Sequence, residues 1–137
     1  MKKIHLKILT PSKIFLEEDV EYIEVKAPHS VLGILPGHAP LISTLEIAPL
    51  KLKVNGTTYY YASSNGLINV RKDETLILVG SIERVDEIDL ERAIRAKERA
   101  EERLARAKID ETIDVARTKA SLLRATNRIN LINEYRK

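Results

Sequence analysis

The chain reads as an α+β fold: an N-terminal β-sandwich or flattened barrel of about ten short strands over residues 1–84, then a C-terminal antiparallel two-helix hairpin over residues 85–137. Three observations predict it. From Lys3 to Ser81 apolar residues recur with period two, and turn residues break the pattern every eight to ten positions. From Leu90 onward the apolar spacing changes to three and four, the mark of amphipathic helices. Between two strand-like runs stands Asn55-Gly56, which supplies the positive φ angles of a two-residue hairpin turn.

In chain order, Ile4, Leu6 and Ile8 alternate with Lys3, His5 and Lys7, and Ile23 and Val25 alternate with Glu24 and Lys26. These are half-buried strands. Gly33-Ile34-Leu35-Pro36-Gly37-His38-Ala39-Pro40 packs two glycines and two prolines into eight residues, predicting a rigid exposed turn rather than strand interior. Leu50 to Val54 and Thr57 to Tyr61 flank Asn55-Gly56 as one hairpin. Leu67 to Val70 and Leu76 to Val79 form a second pair across Lys72-Asp73, preceded by another Asn-Gly at 65–66. With one Phe, five Tyr and no Trp, the core is left to Ile, Leu and Val.

The first helix takes its apolar face from Leu90, Ala93, Ile94, Ala100, Leu104 and Ala107, the second from Ile113, Ala116, Ala120, Leu123 and Ile132. Asp89 is the expected N-cap, with Ile88 stapled onto Ala93, and the Lys108 to Thr112 stretch is the break whose acids suit the next helix start. Alanine contacts bury little area, so the hairpin gains modestly at about 25 cal/mol per Å². A continuous rod from Asp89 to Lys137 would instead reach about 70 Å.

Composition excludes several classes. At 137 residues and 44% hydrophobic content the chain supports one substantial core. No run of eighteen apolar residues and no charged-then-apolar leader is present, so neither a transmembrane span nor a secretory signal is expected, and the chain is expected to work on the cytosolic side. Cysteine is absent, and His5, His29 and His38 lack the spacing of a metal cluster. Residues 1–83 hold nine basic and nine acidic side chains, whereas residues 84–137 hold fourteen and eleven, so the net charge of +3 lies in the helices.

Arginine placement is sharper than the count. Glu91/Arg95 and Glu102/Arg106 read as ordinary four-residue ion pairs. Arg99, Arg124 and Arg128 have no acid four residues upstream, and Arg124 and Arg128 are a like-charge pair. Folding the helices about Ile109 brings Arg92 level with position 126, so three guanidiniums converge near the helix N-terminus at Asp89, a suitable site for a phosphate chain. The alternative is a basic face turned to solvent or an acidic partner. No glycine-rich phosphate loop exists, so hydrolysis is not expected.

Leu32 to Pro40, Asn65-Gly66-Leu67-Ile68-Asn69-Val70 and Ile88-Asp89-Leu90-Glu91-Arg92-Ala93 resemble the epsilon subunit family of bacterial F-type ATP synthases, over essentially the whole chain. The resemblance implies a non-catalytic central-stalk subunit, peripheral on the cytoplasmic face of the cell membrane without inserting into it. Its sandwich would seat on the gamma subunit and the rotor ring of c subunits, helping to couple proton flow to rotation. Its hairpin would either fold on the sandwich or extend into the alpha/beta catalytic head and inhibit ATP hydrolysis.

In some Bacillus-like members the folded hairpin binds ATP as a regulatory ligand, which implies a site here from Glu83, Ile88, Asp89, Arg92, Ala93, Arg99, Arg124 and Arg128. Glu83 and Asp89 would meet the base or ribose region and the arginines the phosphates; whether magnesium accompanies the nucleotide stays open. Ser30, Val31, Leu32, Gly37 and His38 are the implied partner contacts, with Ser30-Val31 standing where the family commonly has an acid, so an apolar or backbone contact is expected there. Two other classes compete. A nucleic-acid-binding module would use the basic helices, against which Glu98, Glu101, Glu102 and Glu111 are interspersed. A small hydrolase built on His38 or on paired carboxylates has no nucleophile, base and oxyanion arrangement to assign.

Overall fold

Alternation in the first eighty residues produces two five-stranded sheets that share one core. The computed structural model describes residues 2–136; the outer ends of the two expected domain ranges, Met1 and Lys137, lie outside the described residues. The strands are β1 (Ile4–Leu9), β2 (Ile14–Val20), β3 (Tyr22–Lys26), β4 (Val31–Ile34), β5 (Leu41–Leu45), β6 (Ala48–Val54), β7 (Thr57–Ser63), β8 (Gly66–Val70), β9 (Thr75–Val79) and β10 (Ile82–Arg84). One sheet runs β2-β1-β9-β8-β5 and the other β10-β7-β6-β3-β4, with β1/β9 as a parallel pair among antiparallel ones.

Inward residues of both sheets make the core: Leu6, Ile8, Ile68 and Ile77 from the first meet Ile23, Leu50 and Leu52 from the second, all fully buried. Asn55 (φ 50°) and Gly56 (φ 82°) take the left-handed angles the β6/β7 hairpin demands. The proline-glycine segment differs from expectation at its start, because Gly33 and Ile34 belong to β4 and pair with Glu24 and Ile23. Gly33 lies under the Tyr22 side chain, where a Cβ would stand 2.7 Å from the hydroxyl oxygen and push the ring aside. The turn itself is Leu35 to His38, closed by the His38 amide donating to the Leu35 carbonyl at 3.1 Å with Gly37 at φ 83°.

On the edge pair β1/β2, His5 Nδ1 lies 2.9 Å from Asp19 and Nε2 lies 3.0 Å from Glu17. Hydrogen bonding to both carboxylates raises the imidazole above its ordinary pKa of 6.5. A raised folded-state pKa favours folding below the unfolded value, and that contribution disappears as pH climbs through the folded value. A ring-proton NMR titration is expected to place the His5 midpoint above 6.5 and to bring it back toward that value in Glu17→Gln/Asp19→Asn.

After a 3-10 turn at Val85–Glu87 come α1 (Leu90–Arg106) and α2 (Val115–Tyr135). Asp89 caps α1 as expected, its carboxylate accepting from the Arg92 amide at 3.1 Å. The start of α2 corrects the sequence reading: its cap is Asp114, accepting from the Arg117 amide at 3.0 Å, while Asp110 is spent on Thr112 within the connecting turn. Ile113 therefore precedes the helix. The pivot falls between Asp110 and Glu111 instead of at Ile109, which brings Arg92 level with the Arg128 turn.

The alanine seam is real: Ala93, Ala100 and Ala125 are buried between the helices. The expected face of α2 is only partly so, holding at Ile132. Ala116 is exposed and Leu123 is 57% exposed, and the buried positions are Thr118, Ala125, Leu131 and Ile132. The reason is that α2 packs on two partners at once, α1 and the outer face of the second sheet, so its covered arc is wide and drifts around the helix. Ile88 joins Ala62, Leu131 and Ile132 in a small second core at the foot of the hairpin. Of the two expected helix ion pairs, Glu91/Arg95 stands at 3.9 Å and is exposed; Glu102/Arg106 is not formed among the described residues.

Candidate functional site

The sharp turn after β10 sets Glu83, Ile88 and Asp89 at the mouth of the helix pair, and α2 returns antiparallel to deliver Arg128 to the same place. A cleft of about 500 Å³ opens there, bounded by Glu83 from β10, Ile88 and Asp89 from the junction, Arg92, Ala93 and Arg99 from α1 and Arg128 from α2. Seven of the eight residues expected for a nucleotide thus share one cleft. The eighth, Arg124, lines an adjoining cleft of about 690 Å³ between the helices, whose wall includes Ala96, Arg99 and Arg128 from the first. Ser81, Glu87 and Ala96 also line the first cleft and were missed in the sequence: Ser81 and Glu87 stand in the segments on either side of β10, outside the helical pattern, and Ala96 lies on α1 off the apolar positions that the spacing picked out.

Arg128 is the hinge of the electrostatics. Its Nε donates to Glu83 Oε1 at 2.5 Å, joining α2 to β10 across the floor, with both side chains partly exposed. Arg124 donates to Ser121 Oγ at 3.0 Å. Among the described residues no carboxylate stands within 4.0 Å of a guanidinium nitrogen of Arg92, Arg99, Arg103, Arg117 or Arg124. Such a concentration of unpaired guanidiniums beside a helix N-terminus is suited to an anion with several oxygens, which planar forks grip in pairs. Asp89 is already engaged in capping, which leaves part of its carboxylate free to accept from a ligand.

No group of three His, Cys, Asp or Glu side chains is arranged to hold a metal among the described residues. The expected partner residues do not form one patch. Ser30 and Val31 are exposed at the start of β4 and Gly37 and His38 beyond its end, a strand of about 13 Å between them, while Leu32 packs against the core. Leu35, at 60% exposure, is the apolar tip that the sequence reading passed over.

The hairpin's hold on the sandwich was also missed. Tyr135 stacks on Tyr60 of β7 with centroids 3.6 Å apart and planes 9° from parallel. Arg136 Nη1 donates to the carbonyls of Val85 (3.2 Å) and Ile88 (2.7 Å). Only a long-range pairing signal would have revealed it, since the partners of Arg136 lie 51 and 48 residues away in sequence and that of Tyr135 farther still.

Two family models divide the chain as the structure does. The model described as "ATP synthase, Delta/Epsilon chain, beta-sandwich domain" matches residues 3–85, and "ATP synthase, Delta/Epsilon chain, long alpha-helix domain" matches residues 86–133. The ATP synthase epsilon chain of Bacillus licheniformis is 41% identical over 131 residues, covering 96% of this chain and 98% of that one. The epsilon chain of Halalkalibacterium halodurans is 43% identical over 131 residues, with the same coverage of 96% and 98%. A chain in the structure of the Euglena gracilis mitochondrial ATP synthase superposes with a TM-score of 0.77 at 22% identity, over 91% of this chain and 78% of that one, a likeness of fold. With both domains matched in order and relatives above 40% identity across nearly their full length, the chain belongs to the ATP synthase delta/epsilon chain family.

Proposed function

We propose that this chain is a non-catalytic rotor subunit in the central stalk of an F-type ATP synthase, and that its hairpin is a two-position arm whose folded position is favoured by ATP. Family membership over both domains supports the rotor role. The sandwich seats on the gamma subunit and the ring of c subunits at the cytoplasmic face of the membrane, helping to couple proton flow to rotation. In support, Ile42, Leu67 and Leu78 form an exposed apolar strip on the outer face of the first sheet, away from the hairpin. Leu35 adds a second apolar contact at the β4 end. No described helix is long and apolar enough to cross a membrane.

The observation that carries the arm reading is the composition of the first cleft. Its walls come from β10, the junction, α1 and α2, so it exists only while the hairpin is folded onto the sandwich. A ligand filling it binds the folded arm and not the extended one, stabilising it by RT ln(1 + [ATP]/Kd), about 2.7 kcal/mol at a hundredfold excess. Straightened into one helix, the arm would reach about 70 Å, long enough to enter the alpha/beta head and block hydrolysis.

Amide hydrogen exchange of the full chain tests this. At a hundredfold excess of ATP over Kd, hairpin amides are expected to exchange about a hundredfold more slowly. Arg92→Ala and Arg128→Ala are expected to lose most of that protection. Unchanged exchange in the wild-type chain would contradict the sensor; failure to co-purify with the gamma subunit would contradict the rotor role separately.

A further inference from the structure

A proline stands where the second sheet splits beside the hairpin. β6 stays paired with β7 as far as Ala48, opposite Ser63, and β3 stays paired with β4 as far as Lys26, opposite Val31. Between β3 and β6 the ladder stops sooner, at Glu24 opposite Lys51. The next outward place in that register would set Lys26 against Pro49, which has no amide hydrogen to add to the ladder. Beyond the gap the Glu46 amide ties the strands again by donating to the Lys26 carbonyl at 2.9 Å. α2 runs past this opening, and helix and sheet together bound a groove of about 840 Å³. From Ala120 to Tyr135, both on its wall, the helix spans about 22 Å. Such a space suits an elongated small molecule.

The walls are apolar and the charge on them is negative. Ile47, Ala48 and Pro49 line the sheet side, while Ala120 and Leu123 line the helix side, Leu123 being 57% exposed. Two carboxylates, Glu24 and Glu46, stand in the same lining. Among the described residues no cationic nitrogen lies within 4.0 Å of either. Lys26 also lines the groove, but its ammonium donates to the Ala27 carbonyl at 2.7 Å. Glu24 is held by the Tyr22 hydroxyl, which donates to it at 3.0 Å. At the far end of the helical wall the Tyr135 ring, stacked on Tyr60, adds an aromatic surface. Unpaired carboxylates and aromatic rings both attract a cation, and the carboxylates repel an anion.

We propose that this groove is a binding site for a cationic amphiphile, a small molecule with an elongated apolar body and one ammonium group. The body lies between Pro49 and Leu123, and the ammonium is taken by Glu24 and Glu46. The groove shares no lining residue with the nucleotide cleft or with the cleft between the helices. Because α2 supplies one wall, the site rests on the folded hairpin of the reading above and not on nucleotide binding. An occupant therefore holds the hairpin to the sandwich from the side opposite the nucleotide's influence, as an independent ligand of the folded arm.

Amide NMR titration of the full chain with decyltrimethylammonium, kept below its micelle-forming concentration, tests this, with decyl sulfate and tetramethylammonium titrated in parallel. Saturable shifts are expected at Glu46, Ala48, Ala120 and Leu123 with decyltrimethylammonium. Decyl sulfate, of opposite charge, and tetramethylammonium, without the apolar body, are each expected to bind there about tenfold more weakly or less. Glu24→Gln/Glu46→Gln is expected to weaken decyltrimethylammonium by about tenfold. Glu98→Gln/Glu101→Gln removes the same charge from exposed positions outside the groove and is expected to change affinity less than about twofold. Equal binding of the two decyl compounds, equal weakening by the two glutamate pairs, or shifts that avoid the groove overturn the proposal. Should Glu24→Gln/Glu46→Gln fail to fold by circular dichroism, the comparison of the three probes on the wild-type chain decides. Hairpin protection by ATP without groove binding removes this site and leaves the sensor; groove binding without a response to ATP keeps this site and removes the sensor.

Discussion

Tyr135→Ala combined with Arg136→Ala is expected to free the hairpin from the sandwich while leaving both sheets intact. The pair of substitutions removes the Tyr60 stack and two bonds from one guanidinium to the Val85 and Ile88 carbonyls. An aromatic pair contributes about 1 kcal/mol beyond its buried area, and the two charged hydrogen bonds together about 2 kcal/mol at a half-exposed site. A loss of about 3 kcal/mol raises the open population about a hundredfold. Limited trypsinolysis reads that population directly, since the helices are rich in arginine and cleavage follows opening when reclosure is fast. Cuts within residues 90–136 are expected to accelerate about a hundredfold, with those in the sandwich unchanged. The two residues carry so much because α1 barely touches the sheets, and α2 docks through its last turns.

Gly66→Ala is expected to damage the sandwich instead. A Cβ at position 66 would stand 2.0 Å from the Leu78 carbonyl oxygen and 2.8 Å from the Val79 side chain, inside a β8/β9 ladder that pairs Gly66 with Val79. Backbone cannot swing aside as a side chain does, so strand pairing must shift, at a cost of about 3 kcal/mol. Gly80→Ala is the contrasting case, because its Cβ would meet only the Ser64 hydroxyl at 3.2 Å. Urea unfolding is expected to show a midpoint lowered substantially in Gly66→Ala and little changed in Gly80→Ala. Equal effects would mean that β8 and β9 do not approach so tightly at this point.

Local signals were well recorded in this sequence. Asn55-Gly56 encodes its own turn through positive φ, and Asp89 encodes a cap through a bond three residues long. The strands announce themselves because one face of each meets a single core. The face of α2 did not, because one helix serves both α1 and the second sheet, and a polar Thr118 takes a buried place while Leu123 faces outward. Most of the candidate cleft was readable, since Asp89, Arg92 and Arg99 repeat on one helical face and an antiparallel return must bring Arg128 near. The error in the pivot came from assigning the second cap to the turn acids rather than Asp114. Arg103 and Arg117 were hidden for a related reason: they meet only across the fold. Tyr135 and Arg136 grip partners no local pattern connects them to.

Separability of the arm from the sandwich underlies all of these expectations, and native-state hydrogen exchange with and without ATP measures it most directly. The hairpin amides are expected to open with a free energy well below that of the sheet amides, and ATP is expected to raise the former alone. Helix and sheet amides that open together at one free energy, indifferent to ATP, would contradict it.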